Sequence, residues 1–435
     1  MLSRLNAPDQ KLYEQFWQLR LVSFDPKRFI VIGRNKKEIN MPISRWKKRP
    51  DGSNRGDFGP DDQPDYINYL LPQKVKEGIA EVKKGSSFSQ NPPFGYPEGE
   101  KLDPDRQPPV LRPLLRQNRV NCHCEMDKLV PVKSDIPSDN MVIFFLQYTS
   151  HGEGLAHTGS LFDTQGDGIR RPFYYSGFAA GKNIIGSEQI KDSGIPTGFD
   201  NASTSSAYAS GIEKMSRKAV QGRAARLDLR AYFKDDRKLV TYSDIMEILD
   251  KDVIDVTKGD ILCLHTGFAD LVLKMKRNPD KEKLENSSSV LDGSDEKLLE
   301  WLSKTKIAAL AADNYAVEAF PAREGEHSCA LLPLHEHCLF KIGLLIGKLW
   351  NLAPLAYRLR NHKKHRFLLT APLLDLPCAI ASLLTPVATV RGEFSVTGFE
   401  LFLTQLMSSS SSYLIIKASG KTNDNETTCS HNRRC

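Results

Sequence analysis

The chain has 435 residues, of which 40% are hydrophobic, and its 60 Lys and Arg outnumber its 53 Asp and Glu to give a net charge of +7. This length and composition allow a full apolar core and exclude a disordered tail or a mini-protein. The positive charge is mild and interleaved with acidic residues, so nucleic-acid binding is not expected. The eight cysteines have no regular spacing and predict a reduced chain rather than a disulfide framework.

Taken along the chain, the predicted elements alternate between strands and helices. Residues 1–45 form an N-terminal extension without a usable motif, and no signal peptide is visible there. Pro72 opens a helical pattern that ends near Gly85. After a proline-rich excursion at 104–115, the continuous apolar run 141–146 predicts a fully buried strand. Later strands are predicted at 238–242, 260–264, 307–312 and 367–370, and helices at 243–251, 295–304 and 333–343. This alternation indicates an α/β fold.

The last part of the chain contains an apolar stretch and a polar tail. Residues 367–390 have the length of a membrane span, but Asp375 and three prolines interrupt them, so they predict buried strand and loop. From about Phe394 onward, a run of five serines and a polar segment predict a tail that does not pack. Truncation after about Arg391 should therefore leave the melting temperature unchanged. We expect a cytoplasmic protein that has no membrane partner.

Side chains that could bind a metal follow directly after the apolar run 141–146. His151, Glu153 and His157 lie in one short glycine-containing loop, where two imidazoles and a carboxylate can converge on one ion. Spacing alone favours the simpler interpretation, polar loop residues that make local hydrogen bonds. The triplet Cys122-His123-Cys124 has no second pair at zinc-finger spacing and predicts an ordinary loop.

The loop at 147–157 resembles the metal signature of the cyclase-like hydrolases, the family that includes bacterial kynurenine formamidase and isatin hydrolase. That signature reads His-x-Gly-Thr-His-x-Asp-x-x-x-His. Its second His corresponds to His151, its metal-bridging Asp to Glu153, and its last His, the family's acid/base, to His157. Its first His corresponds to Gln147, a departure that resembles a longer, degenerate branch of the family.

Further blocks resemble that longer branch in the same order, from about Trp46 to Val390. They are Gly59-Pro60-Asp61-Asp62-Gln63 with 70–75, 162–168 with 174–178, 222–228, 259–260 with 266–267, and 312–321. The resemblance implies a cyclase domain at 46–393, with 394–435 as the tail. It also implies a mixed sheet with a β-barrel-like core of the swivelling β/β/α type, and a homodimer.

The family places a late His and a Glu on the metal centre. Leu334-His335 fits the His, whereas Lys348 stands after Gly347, where the Glu should be. A protonated lysine cannot ligate a metal, so its ammonium would stand in for a second ion if it points into the site. The resemblance therefore implies zinc or manganese, one ion rather than two, held by His151 and Glu153 with Gln147 and His335 nearby and modulated by Lys348.

The implied reaction is metal-assisted hydrolysis of an aryl formamide such as N-formylkynurenine, with related cyclic amides or lactones as second substrates. The metal would activate a water molecule, and His157 would accept and return its proton. The alternative is a binding or scaffold protein whose metal centre has decayed, which Gln147 and Lys348 favour. Among the remaining candidates, we expect His265 to be packing, His337 to be exposed, and Asp313 and Glu318 to be structural. The cluster 362–366 predicts a solvated loop.

Overall fold

The computed structural model describes residues 45–54, 56–82, 85–97, 102–189, 192–194, 203–323 and 330–391. The strands, in chain order, are β1 Ser86–Ser89, β2 Val110–Pro113, β3 Leu115–Arg116, β4 Arg119–Val120, β5 Asn140–Ile143, β6 His151–Glu153, β7 Ser160–Phe162, β8 Arg171–Tyr174, β9 Phe178–Ala179, β10 Ile184–Gly186, β11 Ser205–Ala207, β12 Gln221–Leu227, β13 Leu239–Val240, β14 Ile261–Leu264, β15 Val290–Leu291, β16 Ala309–Ala312, β17 Leu345–Lys348, β18 Arg366–Thr370, β19 Ala381–Leu383 and β20 Val387–Val390. The helices are α1 Pro72–Ala80, α2 Ile212–Ser216, α3 Leu229–Phe233, α4 Tyr242–Lys251, α5 Phe268–Lys274, α6 Lys281–Glu285, α7 Glu296–Thr305, α8 Pro333–His335 and α9 Ala353–Asn361. Shorter 3₁₀ turns lie at Asp65–Tyr69, Met126–Lys128 and Tyr175–Gly177, and a π-helical segment, Glu336–Ile342, directly follows α8.

A nine-stranded mixed sheet organises the described residues, in the order β1-β20-β18-β12-β14-β16-β17-β6-β19. The four central strands, from β12 to β17, are parallel, and the strands on both sides of them pair antiparallel. Every residue of β14 and β16 is buried, as expected for parallel strands that are covered on both faces. The mixed α/β fold inferred from the sequence is confirmed.

Helices α4 and α7 show why the sequence pattern located them well. Thr241 caps α4 through a reciprocal pair of hydrogen bonds with Asp244, and Asp295 accepts two backbone N–H groups at the start of α7. Each helix buries one apolar stripe, with Ile245 and Ile248 in α4. Both helices start within one residue of their predicted position.

The strand predicted at 141–146 is the main error in the fold prediction. A strand is present as β5, but it pairs only with β2 in a separate two-stranded sheet, and its residues alternate between exposed and half-buried. The apolar run therefore reflects a ribbon with one open face rather than a buried central strand. The apolar stretch 367–390 is confirmed as strand and loop, since it contains β18, β19 and β20.

The predictions for the two termini fall on residues that the structure does not describe, whereas the membrane prediction concerns described helices. Residues 1–44 of the predicted extension lie outside the described residues. Residues 392–435, which contain the predicted tail at 394–435 and the segment removed by the proposed truncation, also lie outside them. No helix in the described part of the chain has both the length and the apolar character needed to cross a membrane.

Asp65 is a buried carboxyl group whose ionisation should make stability depend on pH. It is 1% exposed, its Oδ2 accepts from Asn54 Nδ2 at 2.9 Å, and its Oδ1 has no hydrogen-bond partner among the described residues. Burial raises its pKa from 3.8 to about 8, and the nearby charges of Asp62 and Asp57 act in the same direction. Between these two values the folded state holds a proton that the unfolded chain has released, so stability falls as the pH rises.

Replacing Asp65 by asparagine should remove this dependence. We expect the variant to be more stable than the wild type at pH 8 and the difference to shrink toward pH 4. The free energy of unfolding of the wild type should fall by at most about 1.4 kcal/mol per pH unit, the limit for one proton. Melting temperatures from pH 4 to 8 measure it. The control is Asp61→Asn, because the Asp61 side chain is 72% exposed. If the melting temperatures of wild type and Asp65→Asn depend on pH in the same way, Asp65 is already ionised in the folded protein.

Candidate active site

The pairing of β6 with β17 forms the floor of the candidate site. In this antiparallel register His151 lies opposite Lys348, and Gly152 lies opposite Gly347. Side chains alternate between the two faces of a strand, so His151, Glu153 and Lys348 share one face of the sheet. The two glycines leave room on the other face, where a Cβ on Gly152 would lie 2.8 Å from Leu373 and one on Gly347 would lie 2.8 Å from Trp350.

Lys348 points into the site and binds Glu153. Its Nζ lies 2.6 Å from Glu153 Oε1, the Glu153 side chain is fully buried, and that of Lys348 is 6% exposed. Neither Glu153 oxygen has a hydrogen-bond partner among the described residues, but the short distance to Lys348 Nζ makes this a buried ion pair. Lys348 Nζ also lies 3.2 Å from His335 Nε2, to which it can donate when that ring is neutral.

His335 is held by Glu318 at the start of α8. Glu318 Oε1 accepts from the His335 backbone N–H at 2.9 Å and lies 2.6 Å from its Nδ1, while Oε2 accepts from Leu334 N. This contact orients the imidazole so that Nε2 lies 3.3 Å from Glu153 Oε2. Burial and Lys348 lower the pKa of His335, but the carboxylates of Glu153 and Glu318 outweigh them and raise it.

His157 is the most accessible histidine of the cluster. Its side chain is 20% exposed, its Nε2 lies 3.0 Å from Glu153 Oε1, and its Nδ1 lies 2.9 Å from Gln147 Nε2. When the Gln147 amide donates to Nδ1, the ring proton must be on Nε2, which faces Glu153 Oε1. Gln147 therefore touches His157, and its side chain is at the edge of the site.

The charges around Glu153 determine its ionisation. Burial alone would raise the pKa of this carboxyl group, but His157 and Lys348 hold it well below its usual range. His151 is neutral by contrast, because burial lowers its pKa to about 4. Its Nδ1 donates to Thr149 O, and its Nε2 has no hydrogen-bond partner among the described residues and faces Glu153 at 3.6 Å.

The described residues do not fit the metal ion that the sequence led us to expect. Among them, no group of three or more His, Cys, Asp or Glu side chains is arranged to hold an ion. Lys348 adds to this misfit, because its ammonium already contacts Glu153 and His335, two of the expected ligands. Two unit charges 4 Å apart near a protein surface repel by about 4 kcal/mol, and a divalent ion doubles this cost. A resident zinc or manganese ion stays a prediction of the sequence resemblance.

Replacing Lys348 by glutamate should open this centre to a metal. The change removes the competing ammonium and adds a carboxylate beside Glu153 and His335, so bound zinc or manganese should rise by about one ion per chain. Mass spectrometric metal analysis of wild type and variant measures the change. Lys304→Glu, on an exposed ion pair with Glu300, is the charge-matched control. An equal metal content in Lys348→Glu and wild type would sink the idea that Lys348 stands in for an ion.

The structure places the other candidate residues as follows. His337 is buried, and its Nε2 lies 2.8 Å from Ser303 Oγ, so the prediction that it is exposed was wrong. The reason is that the π-helical turn directs it against α7.

Asp313 accepts hydrogen bonds from Thr266 and Gly267, in agreement with a structural role. Residues 362–364 are exposed, and the five described cysteines, including Cys122 and Cys124, are free.

Glu318 has the structural role expected of it, but its partner was not foreseen. It fixes the backbone and ring of His335. The available signal was its charge in the mostly apolar stretch 315–321, because a buried carboxylate needs a partner.

Comparisons with known proteins agree with this fold. Residues 105–319 match the model of the Cyclase family, described as "Putative cyclase". A crystal structure described as a novel cyclase aligns with a TM-score of 0.57 and 22% identity, covering 77% of this chain and 97% of that one. At this identity the likeness concerns the fold alone.

Two isatin hydrolases are more distant. Isatin hydrolase A from Labrenzia aggregata aligns with a TM-score of 0.44 and 11% identity, covering 73% of this chain and 98% of its own. The enzyme from Ralstonia solanacearum gives 0.44 and 12%, with 74% and 97% covered. These scores carry no argument about the present chain. No curated protein matches the chain at a significant level.

Proposed function

Because the chain belongs to the cyclase family, we propose that it is a hydrolase that acts on a small carbonyl compound. In this proposal His157 accepts a proton from the attacking water and passes it to the leaving group. The observation that carries this proposal is the contact of His157 Nε2 with Glu153 Oε1 at 3.0 Å, on a ring that is still partly accessible. A buried carboxylate beside a histidine fixes its tautomer and stabilises its protonated form. An aryl formamide or a cyclic amide is the proposed substrate.

The proposed reaction uses the residues as they stand. A water molecule displaces the Gln147 amide from His157 Nδ1 and gives that nitrogen a proton while its oxygen adds to the substrate carbonyl carbon. The resulting imidazolium stays paired through Nε2 with Glu153, which Lys348 keeps ionised. The C–N bond then breaks, and His157 returns the proton to the leaving nitrogen. An aryl formamide yields formate and the free amine.

A cavity of about 310 Å³ beside the site supports a flat aromatic substrate. Its lining includes the aromatic rings of Phe268, Tyr315 and Phe320, together with Glu318, the partner of His335. Tyr315 also lines a smaller recess together with Gln147. The lining also contains the charged side chains of Asp103, Asp105, Arg237, Lys281 and Glu285, so this cavity is more polar than most small-molecule sites. Its volume lies at the lower end of their range.

Turnover of N-formylkynurenine and isatin by the purified full chain tests this function. Formate release and ring opening are followed with and without a metal chelator, and we expect turnover in both cases because Lys348 lies where a metal would bind. If turnover disappears with the chelator and returns with zinc, the protein is a hydrolase as proposed, but its reaction requires a metal. No turnover of either substrate, with or without added zinc, contradicts the proposed substrate class.

The second candidate is a binding protein without catalysis. It is favoured by two contacts that fill the site, Lys348 on Glu153 and Gln147 on His157 Nδ1. Calorimetric titration with isatin separates the candidates, since saturable binding without turnover supports the binding protein. A homodimer in the cytoplasm also remains part of the proposal, and light scattering after gel filtration tests the dimer.

A further inference from the structure

Gln147 contacts His157 from the end of a long segment that leaves the site and returns to it. The segment 107–146 starts directly after Arg106, contains β2 and β5, and ends at the turn before β6. Arg106 joins its two ends, since Nη1 donates to the Gln147 backbone oxygen at 3.1 Å. The Gln147 side chain then lies 2.9 Å from His157 Nδ1 through its Nε2. One arginine therefore holds the peptide group from which this contact is made.

Arg106 is itself held from the central sheet. Its Nε lies 3.1 Å from Asp103 Oδ2, and the same oxygen accepts from the Tyr315 hydroxyl at 2.6 Å. The Asp103 carbonyl also accepts from the Arg106 backbone N–H, so the two residues belong to one tight turn. Tyr315 follows β16, a strand that is buried along its whole length. A continuous chain of contacts thus runs from the buried sheet to the accessible histidine of the site.

The same residues surround one small space. Asp103, Arg106, Gln147 and Tyr315 line the recess beside the site, whose volume of about 10 Å³ has room for about one water molecule. The side chains of Asp103 and Arg106 are only 16% and 23% exposed. Hydrogen bonds to charged groups are stronger than neutral ones, and partial burial limits the competition from water. The contacts therefore favour a single position of Gln147.

Gln147 covers one of the two ring nitrogens of His157. Nε2 faces Glu153 at 3.0 Å, and Nδ1 faces the Gln147 amide. An amide group can present either an N–H or its oxygen, so this contact forms with a neutral ring and with a protonated one. A ring nitrogen makes one hydrogen bond in the plane of the ring. Water therefore binds Nδ1 only when Gln147 moves away.

We propose that Tyr315, Asp103 and Arg106 form a latch that holds Gln147 on His157 Nδ1 and closes this nitrogen to water in the resting protein. Arg106 is then a positioning residue, which acts on His157 through Gln147. The consequence of the latch for turnover rests on the proposed function, whereas the closure of Nδ1 can be measured without any substrate.

Chemical modification of His157 in the full chain measures how often the latch opens. Diethyl pyrocarbonate acylates free imidazole nitrogens, and peptide mass spectrometry gives the rate at each histidine, normalised to exposed His123. We expect Arg106→Ala to raise the rate at His157 by about fivefold, the change in the open fraction that the loss of one hydrogen bond allows. Tyr315→Phe removes only the hydroxyl group and should change the rate in the same direction.

The matched control is Arg116→Ala. Arg116 also pairs with an aspartate, Asp139, but both side chains are exposed and lie outside the site. Its loss should leave the rate at His157 at the wild-type value. An unchanged rate in Arg106→Ala, or the same increase in Arg116→Ala, overturns the latch.

A double variant separates positioning from a general loosening of the site. Gln147→Ala removes the cover itself and should raise the rate at His157 at least as much as Arg106→Ala. Because both residues act through one contact, the double variant should react no faster than Gln147→Ala alone. Additive increases overturn the latch. Equal increases at the buried His151 and His335 also overturn it, because they show that the whole site has loosened.

Turnover provides a second readout that depends on the proposed hydrolase. In a hydrolysing protein, Arg106→Ala should raise kcat by the same factor as the modification rate, because water reaches Nδ1 more often. A lower kcat together with faster modification would show that Gln147 assists the reaction and would overturn its role as a cover. If neither wild type nor variant turns over substrate, the hydrolase is rejected, and the modification rates alone decide on the latch.

Discussion

Replacing His157 by alanine should reduce hydrolysis of formamide or cyclic amide substrates by about 100- to 10,000-fold, the usual effect of losing a general acid/base. His157 is the proposed proton carrier, and its ring contacts Glu153 and Gln147 at the edge of the site. Since its side chain is partly exposed and the pair of Glu153 with Lys348 remains, the melting temperature should change little. Initial rates of formate release at saturating substrate, with circular dichroism of the variant, measure both effects.

The matched control for this experiment is His123→Ala. His123 is exposed in a loop outside the site, so its loss should leave the rate at the wild-type value. Full activity in His157→Ala would remove this residue from the mechanism. Loss of a bound metal together with activity would instead make His157 a ligand.

Replacing Lys348 by methionine should lower the free energy of unfolding by about 3–5 kcal/mol, the cost of leaving a buried charge without its partner. The ammonium lies 2.6 Å from Glu153 Oε1, and both side chains are almost completely buried. Methionine has a similar length and leaves the Glu153 carboxylate with only imidazole neighbours. Urea denaturation followed by circular dichroism measures the loss.

A second substitution separates charge from packing. The double variant Glu153→Gln/Lys348→Met removes both charges, so it should recover most of the stability lost in the single variant. Lys304→Met, in an exposed pair with Glu300, should cost no more than about 1 kcal/mol. If Lys348→Met is as mild as Lys304→Met, the buried ion pair does not stabilise the fold.

The local part of the site could be predicted from the sequence, whereas its charge balance could not. His151, Glu153 and His157 are close in the chain, and the structure brings all three together around Glu153. Lys348 was expected near Glu153 only if it pointed inward, and its direction depends on the register of β17 with β6, which joins segments almost 200 residues apart. No local pattern encodes such a pairing.

The errors have the same origin. An apolar run such as Met141 to Leu146 fits a central strand and a peripheral ribbon equally well, because the apolar run alone does not show what covers each face. His337 follows His335 on a segment where the helix widens into π-helical turns, and this changes the direction of its side chain. Helices α4 and α7 were predicted well because their caps lie within the segment itself.

The pairing of β6 with β17 also makes the charge of this centre depend on strand register. Successive residues of a strand point to opposite faces, so a shift of β17 by one residue would exchange Gly347 and Lys348 across the sheet. The ammonium would then enter the space beside Leu373 and Trp350, which is open only to glycine, and Glu153 would lose its counter-ion. The packing of an apolar layer on one face of the sheet thus determines the electrostatics of the polar centre on the other.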